Sequence, residues 1–190
     1  MDTDFPDRTP AVEALLDAAL AEFGTHGFAK TTMTDIAKAS GLSRTALYNH
    51  FQTKEDVFRA ISQRLNSEVY QAVMDAVHGR DGRDARLMAV MHARVSWVYQ
   101  LLKASQFGRE LIDEKNRICG GQVISANDQF SRIVATVIEE YPHLPDDADV
   151  LASLLIQSVN GVLEHAKNHD GAQASVHTLV TVFCRGLNSR

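Results

Sequence analysis

The chain has no run of about 18 consecutive apolar residues, the length needed to cross a bilayer, so no membrane span is expected. Its first ten residues, MDTDFPDRTP, are acidic and have no apolar stretch, so they do not read as a signal peptide. Cysteine is scarce. Cys119 and Cys184 are too few for a disulfide framework and fit a reduced cytoplasm. Catalytic signatures are missing too: there is no metal-ligand tetrad, no phosphate-cradling glycine loop and no nucleophile motif. The expectation is therefore no enzyme, no cofactor and no metal. His165 and His169 lie four apart, as ligands on one helix face do, but near a helix C-terminus they more simply favour its dipole. No internal repeat or useful strand-period segment appears, which points away from β structure.

What is present reads as helix throughout. The 190 residues suit a small head on a larger body, and a 45% hydrophobic fraction is enough to fill cores. Residues 1–8 are expected to be a disordered tail. Thr9-Pro10 starts a first helix, with proline at its preferred position. Val12, Leu15, Leu16, Ala19, Leu20 and Phe23 form its inner face. A long helix from Thr53 to about Val77 is expected to link head and body, followed by a polar turn over Gly79–Gly82. Further helices are expected over about 83–102, 104–115 and up to Tyr141, with Gly120-Gly121 breaking or kinking the path. Two final helices, about Asp146–Asn168 and Ala172–Leu187, would be joined by His169-Asp170-Gly171. Their apolar arcs are wide enough to bury part of themselves against a partner.

Residues 31–58, TTMTDIAKASGLSRTALYNHFQTKEDVF, carry the sharpest signal. Thr32 and Asp35 make a capping box, Gly41 supplies the left-handed residue that ends the helix, and Ser43 caps the next one. Ala37, Gly41 and Leu47 have the spacing of a helix-turn-helix: a small residue at the crossing, a glycine in the turn and an aliphatic anchor. In such a motif the second helix enters the major groove and the first crosses the backbone. The formal net charge of −5 argues mildly against nucleic acid, but local charge decides phosphate contact. Between Phe28 and Arg59, five basic side chains stand against three acidic ones, a local net of +2.

Gly27-Phe28, Thr31-Thr32, Asp35-Ile36-Ala37, Gly41-Leu42-Ser43, Leu47-Tyr48-Asn49-His50-Phe51 and Lys54-Glu55 resemble the DNA-binding domain of the TetR family of bacterial transcriptional regulators. The match covers about residues 10–60. It implies an all-α fold of about nine helices, with a three-helix DNA-binding head over 9–52 (motif 32–51) and a helical ligand-binding and dimerisation body over 53–190. It also implies a cytoplasmic, nucleoid-associated homodimer on a near-palindromic double-stranded DNA operator, with no membrane partner. Arg44 is expected to read bases, with Thr34, Thr45 and Asn49 adding base or phosphate contacts. Tyr48, His50 and Lys54 look like the family's phosphate clamp, helped by backbone amides at the Thr53 cap, and Thr32 is a further candidate DNA-binding residue.

By the same resemblance, a small apolar or aromatic effector would bind among residues 83–141 and release DNA by changing the separation of the heads. Met88, Met91, His92, Trp97, Tyr99 and Phe107 are the candidate wall. Leu151, Leu155, Ser158 and Val162, with Val176, Leu179, Val180 and Phe183, are the candidate dimer surface. An alternative keeps the head but gives the body a protein partner, as in division-site regulators that resemble this family.

Overall fold

The computed structural model describes residues 9–103, 107–166 and 168–189, and of 97–103 and 109 the backbone alone. Among these residues the chain is all helix. The elements are α1 (Pro10–His26), α2 (Met33–Ala39), α3 (Arg44–His50), α4 (Lys54–His78), α5 (Arg83–Lys103), α6 (Gly108–Ile118), α7 (Gly120–Ile138), α8 (Ala148–His165) and α9 (His169–Asn188). The tail expected over 1–8 lies outside the described residues.

Two compact units divide the chain: Met1–Asn66 with Leu101–Val123, and Ser67–Gln100 with Ile124–Arg190. The first therefore takes in more than the 9–52 expected for a head, because part of α4 and all of α6 share its core. Phe23, Phe28 and Phe58 form an aromatic triangle at its centre, with ring centroids 5.2 to 5.6 Å apart. Leu15, Ile36, Leu47, Val57 and Ile61 close around it, and Leu111 and Cys119 from the α6 region join the same cluster. Arg64 of α4 is buried, and α1 offsets its charge: Nη1 lies 3.2 Å from Glu13 and 2.7 Å from Asp17.

The second unit is built on Leu87, Val90, Met91 and Val95 of α5 and on Phe130, Val134, Val137 and Ile138 of α7. Stripes from α8 and α9 complete it. Tyr141 closes one end; its hydroxyl donates to Asp84 at 2.6 Å, and Arg83 stacks on its ring. Burial, with the Asp84 carboxylate, pushes that phenol well above its ordinary pKa.

Two helix junctions differ from expectation. Gly120-Gly121 opens α7 rather than breaking the path, and only Cys119 separates α6 from α7. His169-Asp170-Gly171 is the first turn of α9, because the Asn168 side chain accepts the Gly171 amide at 2.8 Å and caps the helix there. Consequently His165 and His169 belong to different helices, not to one face. Among the described residues no group of three or more His, Cys, Asp or Glu is arranged to hold a metal ion.

Candidate nucleic-acid interface

The site is built by caps and one turn. Thr32 accepts the Asp35 amide, and Asp35 returns a carboxylate to the Thr32 amide at 2.9 Å, completing the capping box. The hydroxyl and amide of Thr32 hold the Asp35 carboxyl below its ordinary pKa. At the other end of α2, Gly41 takes φ +70°; its amide donates to Lys38 O and the Leu42 amide to Ala37 O at 3.0 Å. That pair of bonds is a Schellman stop, which turns the chain sharply enough for Ser43 to cap α3 two residues later. Ile36, Ala37 and Leu47 are buried beneath the turn. Their burial fixes the angle of α3 against α2.

On the outer side, Thr34 of α2 and Arg44, Thr45, Tyr48, Asn49 and His50 of α3 are all exposed. Lys30 and Lys38, also exposed, add positive charge nearby. Six side chains of the expected set are thus exposed on one short helix pair. They include a guanidinium, an amide, an imidazole, a phenol and two hydroxyls, groups that donate to phosphate oxygens and to base edges alike. The Thr32 hydroxyl is instead engaged with the Asp35 carboxylate at 2.6 Å.

Lys54 departs from expectation. Its ammonium donates to Phe28 O at 2.8 Å, Thr31 O at 3.1 Å and Ala29 O at 3.2 Å, and lies 4.5 Å from the Phe28 ring centroid. An ammonium has three N–H bonds, and all three are directed at the α1–α2 loop. Lys54 is thus a tie between α4 and that loop rather than a free phosphate donor.

The family model for bacterial regulatory proteins of the tetR family matches residues 15–61, which contain this whole arrangement. Over these residues the chain is similar to the DNA-binding segment of the tetR family. Curated relatives match only part of the chain. The HTH-type transcriptional regulator AcrR of Shigella flexneri is 40% identical over 55 residues, 29% of this chain and 26% of that one. The HTH-type transcriptional repressor KstR2 of Rhodococcus jostii is 33% identical over 91 residues, 48% of this chain and 43% of its own length. The aligned parts thus span less than half of each relative. The fold likeness is wider. A transcriptional regulator from Cytophaga hutchinsonii superposes with a TM-score of 0.76 over 94% of this chain and 98% of that one, at 18% identity.

Residues expected to meet an effector divide differently. Met91 is fully buried in the core of the second unit, and Met88 packs partly buried against it. His92 Nδ1 donates to Gln173 Oε1, while Gln173 Nε2 donates to Ser96 Oγ at 2.6 Å. Phe107 sits in the first unit, at the cap position of α6, its ring beside Gly27. The side chains of Trp97 and Tyr99 lie outside the described residues.

Of the expected dimer residues, Leu151, Leu155, Val176 and Val180 are buried in this chain's own core. Val162, Leu179 and Phe183 are partly buried against it, and Ser158 is half-exposed. A wide apolar arc does not say which part faces inward; here the stripe Ala148, Leu151, Ala152, Leu155, Val159 does. What remains outside is Val150 (52% exposed), Leu154 (56%) and, on α9, Val182 (61%), three residues that sequence reasoning did not single out for this role.

Proposed function

We propose that the protein is a sequence-specific DNA-binding transcriptional regulator, a homodimeric repressor whose operator is released by a small effector bound in the helical body. The observation that carries this reading is the exposed face of α3. Arg44 stands at its first turn and Thr45, Tyr48, Asn49 and His50 follow, on a turn anchored from below by Leu47. Recognition helices read base edges with their N-terminal residues, and an arginine there suits a bidentate contact to guanine. One such helix covers few bases, so a two-fold pair about 34 Å apart is needed to read a near-palindrome. Val150, Leu154 and Val182 give α8 and α9 an apolar surface for that pairing. The named relatives AcrR and KstR2 are a regulator and a repressor, which supports the class of activity. The protein would then work in the bacterial cytoplasm, where its operator is.

Footprinting of the full chain on fragments of its own genome at two salt concentrations tests this. The expected result is one protected near-palindrome whose affinity falls as salt rises. Arg44→Ala is expected to lose about 1–3 kcal/mol per half-site on that sequence and little on random DNA. Protection of no fragment at low salt by effector-free, refolded protein would refute the reading.

A further inference from the structure

Arg94 of α5 has a buried Nε, and among the described residues no carboxylate stands against its guanidinium. Arg64, by contrast, is neutralised by Glu13 and Asp17, and Arg86 by Glu140. Arg94 has instead one neutral hydrogen bond, Nη2 to Asn127 Oδ1 at 3.2 Å, and the face of Phe130, 4.2 Å from Cζ to the ring centroid. Its Nε is shut off from solvent and bonded to nothing. Burial lowers the guanidinium pKa to about 10, a direct sign that the charge is poorly solvated where it stands.

A half-buried cation of this kind is a liability for a free chain. Charge taken out of water is costly unless an opposite charge repays it. Asn127 holds one Nη and Phe130 holds the plane flat, so the guanidinium is oriented and its remaining donors are left over. Arg94 as a residue is only partly buried and Asn127 is exposed, so the pair lies near the surface. An oriented fork of N–H donors beside an aromatic face matches a planar monoanion carried on an apolar group.

We propose that Arg94 is the anion-binding residue of the effector site and that the effector is a carboxylate on an apolar or aromatic skeleton. This rests on the reading of the body as an effector-binding domain and narrows it to one chemical class. The carboxylate pairs with the Arg94 donors that Asn127 leaves over.

Calorimetry and thermal unfolding on the full chain without DNA test it. The probes are octanoate, decanoate, phenylacetate and 4-phenylbutyrate, each against its primary amide. At least one carboxylate is expected to bind about tenfold or more tighter than its amide, the usual span of a charge-assisted bond, and to raise Tm. Arg94→Met is expected to abolish that preference without lowering the Tm of the ligand-free protein, because methionine fills the space without a charge. No carboxylate outbinding its amide would overturn the proposal, as would a variant that keeps the preference. A lower Tm for ligand-free Arg94→Met would make Arg94 a structural residue and overturn it too. Since DNA is absent, these results stand apart from footprinting: a protected operator with no carboxylate preference sinks this site alone, and the converse sinks the repressor reading alone.

Discussion

Removing the Lys54 ammonium separates two roles that the same residue could serve. In the structure it ties α4 to the α1–α2 loop through three carbonyls, two of them partly buried and one exposed, and covers the Phe28 ring. Hydrogen bonds from a charged donor contribute roughly 1.5–3 kcal/mol each in isolation. Here they share one donor group and water can replace the exposed one, so the sum is discounted to about 2–4 kcal/mol. For a chain of this size 1 kcal/mol moves Tm by about 2–4 °C, so Lys54→Ala should unfold roughly 5–15 °C lower. Below that temperature, its affinity for DNA should keep the wild-type dependence on salt, since no phosphate contact has been lost. Circular dichroism on heating and filter binding at three salt concentrations read the two effects separately. A Tm within 1–2 °C of wild type, with a salt slope reduced by about one, would refute the tie and make Lys54 a phosphate ligand.

Gly27 has φ +83°, and a Cβ there would meet Glu110 Oε2 at 2.9 Å and the Phe107 ring at 3.2 Å. Gly27→Ala should therefore cost about 1–3 kcal/mol from backbone strain alone, seen as a lower urea midpoint; an unchanged midpoint would contradict the packing of α6 on this loop. Leu154→Glu should shift the protein from dimer to monomer in sedimentation while leaving monomer stability within about 0.5 kcal/mol. Leu155→Ala should instead destabilise the monomer by about 2–5 kcal/mol, and the reverse pattern would mean α8 faces the other way. His92 is held below its ordinary pKa by burial first, then by His177 and His169. The unfolded chain takes up this proton near pH 6.5 and the folded chain only lower, so stability is full above that pH and falls as pH drops below it. His92→Gln should flatten the fall between pH 7 and 5, and an unchanged profile would exclude His92 as its source.

How much of this was legible beforehand depends on the range of the interaction. The head was readable because its determinants are local. A capping box spans four residues, a Schellman stop six, and both are dictated by residue types at fixed spacing, as Thr32, Asp35, Gly41 and Ser43 are. Part of the exposed row on α3 follows, since once Leu47 is the buried anchor the helical period leaves Thr45, Tyr48 and Asn49 outside. Periodicity likewise implied nine helices and an all-α fold. It did not give the start of α9, because the Asn168 cap competed with a plausible turn at Gly171.

Long-range partners were decided by tertiary structure alone. Nothing near Lys54 in sequence foretells that the carbonyls of Phe28, Ala29 and Thr31 converge on it, 23 to 26 residues away. Leu151 and Leu154 are chemically alike, and only the direction from which α9 and the rest of the core approach makes one of them core and the other surface. The isolation of Arg94 is of the same kind. A sequence shows a charge, whereas the absence of a counter-charge is a property of everything that folds around it.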